Sequence, residues 1–210
     1  MVLDDLSQVA VGFANGAVVL IRGDLIHDRG TQQRTVFESE EPITGLEIQH
    51  SSIITLFIAT TNRIVTLGIG GRVQGRPART LEDLGCAVGC MTFDPDSGDV
   101  LVAREDAIYT YGPGGRGLSF AFDNPKTSLN LFRDYIALVC PPNPAISRTD
   151  TVRRFGGGSV DDIFNTSTFT LLEPDLKFVA HSESLSSVAK HIFMAWGDLF
   201  LVTIDGKVRD

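Results

Sequence analysis

Apolar residues in this chain fall in short runs separated by polar turns, and no helical period is sustained anywhere. Residues 88–113, VGCMTFDPDSGDVLVAREDAIYTYGP, show the grammar most fully. A strand over 88–93 runs into the turn Asp94-Pro95-Asp96-Ser97-Gly98-Asp99. A second strand, Val100-Leu101-Val102-Ala103, leads through a polar turn at 104–106 to a third, Ala107-Ile108-Tyr109-Thr110-Tyr111. Segments this short, rich in Val, Ile and Tyr and cut by Asp, Gly and Pro, can pair only as antiparallel neighbours.

The unit recurs with variations. Residues 9–13 and 17–21 form a hairpin around Asn15-Gly16, which supplies the positive φ of a tight turn. A polar arm over 22–34 precedes a short outer strand at 35–37. Strands follow at 43–48, 56–60 and 63–67, and a Gly/Arg-rich connector spans 68–79. A further unit has strands at 129–132 and 135–139, then a surface loop insertion at 141–159, PPNPAISRTDTVRRFGGGS, then outer strands within 162–172 and 177–180. Residues 182–190 have room for a turn or two of helix. The last unit holds strands at 191–195 and 199–203, joined at Trp196-Gly197-Asp198, and a third element begins near 205.

First strands thus fall near residues 43, 88, 129 and 188, at spacings of 45, 41 and 59, the last lengthened by the insertion. Four strands in each repeat of about 40–45 residues is the spacing of propeller blades. The fold class is therefore all-β: a partial WD40-like β-propeller of four-stranded antiparallel blades, three of them whole, in one domain over residues 1–210. Ile58, Val102 and Leu138 are expected to be buried in second strands. Propellers close with about four to eight blades, so the chain reads as a piece of a larger one. Residues 9–13 and 199–203 are then expected to be open edges that invite self-association.

Composition narrows the function. With 43% hydrophobic and 21% charged residues the chain is an ordinary folded protein. A net charge of −8 argues against nucleic acid and against electrostatic attachment to anionic lipid. No apolar run reaches the roughly 18 residues of a membrane span, and the acidic start does not read as a signal peptide. Cys86, Cys90 and Cys140 suggest buried free thiols in a reducing compartment. Cys86 and Cys90 have the spacing of half a zinc site, but neither a second pair nor a spaced set among His27, His50, His181 and His191 completes it.

Candidate chemistry is thin. Gly112-Pro113-Gly114-Gly115-Arg116-Gly117 matches the dinucleotide fingerprint, yet a strand follows where a helix must begin, so an inter-strand loop is expected. Asp94, Asp96, Asp99 and Glu105 imitate a calcium loop, but Asp99 stands where glycine is needed and an apolar strand fills the interior. A β-turn is the better reading. Glu38, Glu40, Glu41, Asp161 and Asp162 have no acid–base partner at a meaningful spacing and read as solvated surface. No nucleophile context occurs. Trp196 reads as a packing residue between blades. Arg148, Arg153 and Arg154 concentrate positive charge in the insertion and are the local candidates for a partner contact. No catalytic, cofactor or metal residue is assigned.

Several strings go beyond blade grammar: VAVGFANGAVVLIRGDLIHDR, PITGL, ATTNRI, DLGCAVGCM, AIYTYGPGGRG with FAFDNPK, LFRDYIALV and MAWGDLFLVTIDGKV. Together they resemble the N-terminal propeller of the vacuolar protein sorting-associated protein 11 family, in order along nearly the whole chain. The resemblance implies a class C core subunit of the HOPS and CORVET endolysosomal tethering complexes. It implies a scaffold and not an enzyme, peripheral on late endosome and vacuole membranes. The implied partners are the other class C subunits and, through the assembled complex, Rab GTPases and SNAREs. The alternatives are a WD-type adaptor of another pathway, or a propeller hydrolase, which would need side chains converging on a central channel.

Overall fold

The computed structural model describes residues 8–24, 27, 29–51, 53–70, 77–142, 167–175, 177–185, 187–204 and 208–209. Among them every regular element is a strand, and the strands form antiparallel meanders. The chain divides into two compact units, Met1–Ala103 with Ile108–Ser119, and Arg104–Ala107 with Phe120–Asp210.

The first unit carries three sheets. β1 (Gln8–Gly12), β2 (Val18–Asp24) and β3 (Arg29–Phe37) form one, in that order. β4 (Ile43–Gln49), β5 (Thr55–Thr60), β6 (Ile64–Gly68) and β7 (Arg79–Glu82) form the next. β8 (Met91–Phe93), β9 (Val100–Ala103), β10 (Ala107–Gly112) and β11 (Gly115–Ala121) form the third, most of which lies in this unit. The second strands β5 and β9 are buried throughout, because a sheet covered on both faces hides both sides of its inner strands. That is why TLFIAT and VLVA read as continuous apolar runs. Ile58 and Val102 are at 0% exposure, as their pattern predicts. Ala10, Val18 and Leu20 of the first sheet share one core with Ile48, Leu56, Ile58, Val65 and Leu67 of the second. Each large side chain buried there contributes about 1.5–3 kcal/mol.

The second unit holds β12 (Ser128–Phe132), β13 (Tyr135–Cys140), β14 (Thr168–Glu173) and β15 (Phe178–Ser184) in one sheet. Its other sheet is β16 (Ala189–Ala195), β17 (Asp198–Thr203) and β18 (Val208–Arg209). Leu138, in β13, is again at 0% exposure. The core joins Ala137 and Val139 to Leu185, Ala189 and Ile192, with Phe132 and Leu199 packed against it.

The pattern misjudged several elements. The polar arm over 22–34 contains most of β3, which pairs along β2 from Val18↔Phe37 to Asp24↔Arg29. Main-chain bonds tie it to β2, and residues 30–35 are exposed. The connector 68–79 ends in a fourth strand, β7, paired at Val65↔Thr80. The strand expected from Val88 starts at Met91, because Gly89 turns with φ +82° and leaves Val88 73% exposed. Ser182–Ser184 continue β15 and Ala189 opens β16, so the described part of 182–190 is strand and a short connection and not helix. Residues 199–203 are not an edge: β17 pairs with β16 on one side and with β18 on the other, at Leu201↔Arg209 and Val202↔Val208. β1 does lie at the edge of its sheet.

Candidate functional site

In the first unit the polar groups that sequence patterns single out are spent on turns. The buried hydroxyl of Thr60 receives the N–H groups of Asn62 (3.2 Å) and Arg63 (3.0 Å). The same hydroxyl donates to Glu41, whose other carboxylate oxygen meets Arg63 Nη2 at 2.6 Å. The Arg63 guanidinium, and next the Thr60 hydroxyl, hold the Glu41 carboxyl below its usual range. Glu41 is therefore not plain solvated surface; it clasps the ATTNRI hairpin. Asp94 likewise closes its own turn, accepting from Asp96 N–H (3.0 Å) and Ser97 Oγ (2.6 Å). The Asp94 N–H donates to the Asp99 carbonyl at 2.8 Å. Gly112 and Gly115 serve the chain path: a Cβ on Gly112 would lie 2.8 Å from Asp99 Oδ1, and Gly115 opens a strand at φ +137°. A dinucleotide pyrophosphate needs helix amides at that point; β11 offers a strand. Among the described residues no three His, Cys, Asp or Glu side chains gather as metal ligands, and Cys86, Cys90 and Cys140 are all buried.

The second unit holds a different arrangement. Lys126, from the string FAFDNPK, is only 7% exposed. Its ammonium donates to the carbonyls of Arg104 (2.6 Å), Glu105 (3.0 Å), Asn124 (2.7 Å) and Phe122. The Phe122 and Asn124 N–H groups return bonds to Asp106 O and Glu105 O. A buried charge is tolerated only when so fully bonded, and here it pins segment 122–126 around the turn at 104–106.

Beside that pin lies a cleft of about 280 Å³, lined by Phe122, Pro125, Cys140, Pro142, Thr168 and Val179 among others. Among the described residues no carboxylate or imidazole lines it. Burial pushes the Cys140 thiol up, so it stays protonated and unreactive at neutral pH. Such a wall can bind an apolar group. β15, at the outer edge of its sheet, is exposed at all seven positions and carries Phe178 and Val179 to the surface.

Of the residues expected to meet a partner, Arg148, Arg153 and Arg154 lie outside the described residues, as does most of the insertion. Trp196 overturns its expected packing role. It is the first central residue of a two-residue hairpin between Ala195 and Asp198, and it is 93% exposed. A tip position projects the ring beyond the sheet, where it makes an edge contact with Phe200 at 6.0 Å. Neither this indole nor the Lys126 cage was legible as a site in the sequence. The one signal was that WGD and FAFDNPK exceed what blade grammar requires.

The family model described as PEP5/VPS11 N-terminal matches residues 1–210. The chain belongs to this family. Among relatives of the PEP5/VPS11 type, the vacuolar protein sorting-associated protein 11 homolog of Dictyostelium discoideum is 30% identical over 98% of the chain and 24% of its own length. The human homolog is 29% identical over 98% of the chain, and the mouse homolog 28%, each over 21% of its own length. The chain thus spans about a quarter or less of these relatives. In fold it is similar to BBS1N, solved in complex with ARL6DN, with a TM-score of 0.63 at 9% identity over 99% of this chain and 58% of that one. It is also similar to BamB from Moraxella catarrhalis, with a TM-score of 0.60 at 12% identity over 99% of this chain and 55% of that one. The fold of this PEP5/VPS11 chain is all-β and propeller-like, built from antiparallel sheets that among the described residues hold four strands in three cases and three in two.

Proposed function

We propose that the chain is a non-catalytic interaction module of vacuolar protein sorting, a scaffold propeller in a HOPS/CORVET-type membrane-tethering complex that supports vesicle docking and fusion. The observation that carries this reading is the match of all of residues 1–210 to the N-terminal part of the family. The chemistry of the surface agrees with it: an apolar cleft, an exposed outer strand and an exposed indole are contact groups, and the His181–Glu183 pair on that strand (3.7 Å) stands open to water. Residues 1–210 act as one propeller segment, with 141–159 as a surface insertion that brings Arg148, Arg153 and Arg154 to partners. Those partners are the other class C subunits and, through the complex, Rab GTPases and SNAREs. Attachment to late endosomes and vacuoles is then peripheral, through the assembled complex.

The test removes residues 1–210 from the native protein and follows two readouts, co-purification of the class C subunits and delivery of a hydrolase to the vacuole. Both are expected to fall. Unchanged assembly together with unchanged delivery would overturn the proposal.

A further inference from the structure

Three residues of the second unit stand in the left-handed backbone region, where a side chain other than Gly or Asn is disfavoured. They are Arg133 (φ +53°), Lys177 (φ +54°) and Trp196 (φ +53°), each in a turn and each exposed. Trp196 is followed by Gly197 at φ +84°, so both central residues of its hairpin have positive φ. Asn-Gly or Gly-Gly would fill such a turn without strain. A bulky ring that gains no burial there must be kept for what it presents.

The three turns share one end of the unit. In a meander the first and third turns lie together, so Arg133, between β12 and β13, and Lys177, between β14 and β15, emerge at the same end of their sheet. The start of β16 is tied to the opposite end: the Ala189 N–H donates to Ser167 Oγ at 3.0 Å and the Leu185 N–H to Ser167 O at 2.8 Å, just before β14 begins. β16 then runs toward the Arg133 end, and its turn at Trp196 emerges there. Phe132 and Leu199, each beside its own turn, pack against one core, as this direction requires.

Charge at that end is sorted by contact. The Arg133 guanidinium lies over Phe132 at 5.0 Å and the Lys177 ammonium over Phe120 at 5.6 Å. Asp134, Asp175 and Asp198, next to or within the same turns, are exposed. That end thus carries an exposed indole and exposed carboxylates, with its Arg133 and Lys177 cations laid over aromatic rings.

We propose that this end of the second unit is a protein-docking surface, anchored by Trp196, for a partner subunit that offers an apolar pocket rimmed by lysine or arginine. Trp and its rim act as interfaces usually do, with a central aromatic anchor supplying affinity and peripheral charge guiding encounter. The proposal rests on the reading of the chain as a scaffold of a sorting complex, and it names the contact that reading needs.

The experiment uses the native protein and its purified class C subunits, comparing wild type, Trp196→Asn, and the pair Asp134→Lys with Asp198→Lys. Trp196→Asn is expected to unfold at the wild-type temperature or above it, while one subunit binds at least tenfold more weakly. The double charge reversal is expected to slow association with that subunit and to flatten its salt dependence. If Trp196→Asn binds every subunit as wild type does, the inference is wrong and the scaffold reading stands. If Trp196→Asn lowers the melting temperature, the indole is a packing residue and the inference is overturned. If the wild-type protein binds no subunit, the scaffold reading fails first and this contact with it.

Discussion

The turns of the two units are built on opposite principles. In the first unit the described positive-φ positions are glycines: Gly16, Gly23, Gly30, Gly89, Gly98 and Gly115. Gly16 shows the need directly. A Cβ there would lie 1.9 Å from the Ser39 carbonyl oxygen, while the Ser39 N–H bonds to Gly16 O at 3.0 Å. In the second unit positive φ falls on Arg133, Lys177 and Trp196 as well as on Gly197. The first unit's turns are fitted to the fold; the second unit's turns give up stability to display side chains. The second unit recovers order elsewhere, through one buried ammonium that gathers four carbonyls.

That contrast can be broken most forcefully at Lys126. Lys126→Met removes the donor and leaves buried carbonyls unsatisfied, at a loss of roughly 3–4 kcal/mol. Urea denaturation should show it as a large drop in midpoint. A loss under about 1 kcal/mol, the size of a surface change, would mean that the turns at 104–106 and 122–126 hold themselves.

Gly16→Ala comes next. Backbone strain and the clash with Ser39 together predict a loss of roughly 2–3 kcal/mol, read as a lower melting temperature. A neutral result would remove the basis for calling the first unit's turns fitted.

A pH series isolates a smaller effect in the first unit. Burial pushes the half-buried Glu47 carboxyl up to about 7, against an ordinary 4.5. Between these values the folded chain binds more protons than the unfolded chain, so Glu47 makes stability fall as pH rises through this window. Glu47→Gln is expected to raise the melting temperature at pH 8 and to change little below pH 4.5. A gain of the same size at both pH values would show that ionisation is not the cause.

The sequence made inner strands legible and outer ones obscure, for a physical reason. TLFIAT, VLVA and YIALV are apolar on both sides because both of their faces are covered, and a short apolar run between turn residues has few other readings. β3, β7 and the end of β15, with QQRT, RTLE and HSES, are held by main-chain bonds and present mostly polar side chains. No alternation marks them. The contact groups were hidden for a related reason. A lysine after Asp-Asn-Pro reads as a surface cation, and a lone tryptophan ordinarily packs inward. Only backbone coordinates reveal that one is enclosed by carbonyls and the other set on a strained tip.

The central claim is that the second unit keeps its turn residues for contact and not for folding. Thermal denaturation of the triple variant Arg133→Gly, Lys177→Gly, Trp196→Asn measures this directly. Relief of left-handed strain, less the entropy cost of glycine, predicts a gain of roughly 0.5–1 kcal/mol per site and a melting temperature a few degrees higher. A melting temperature below that of the wild type would contradict the account.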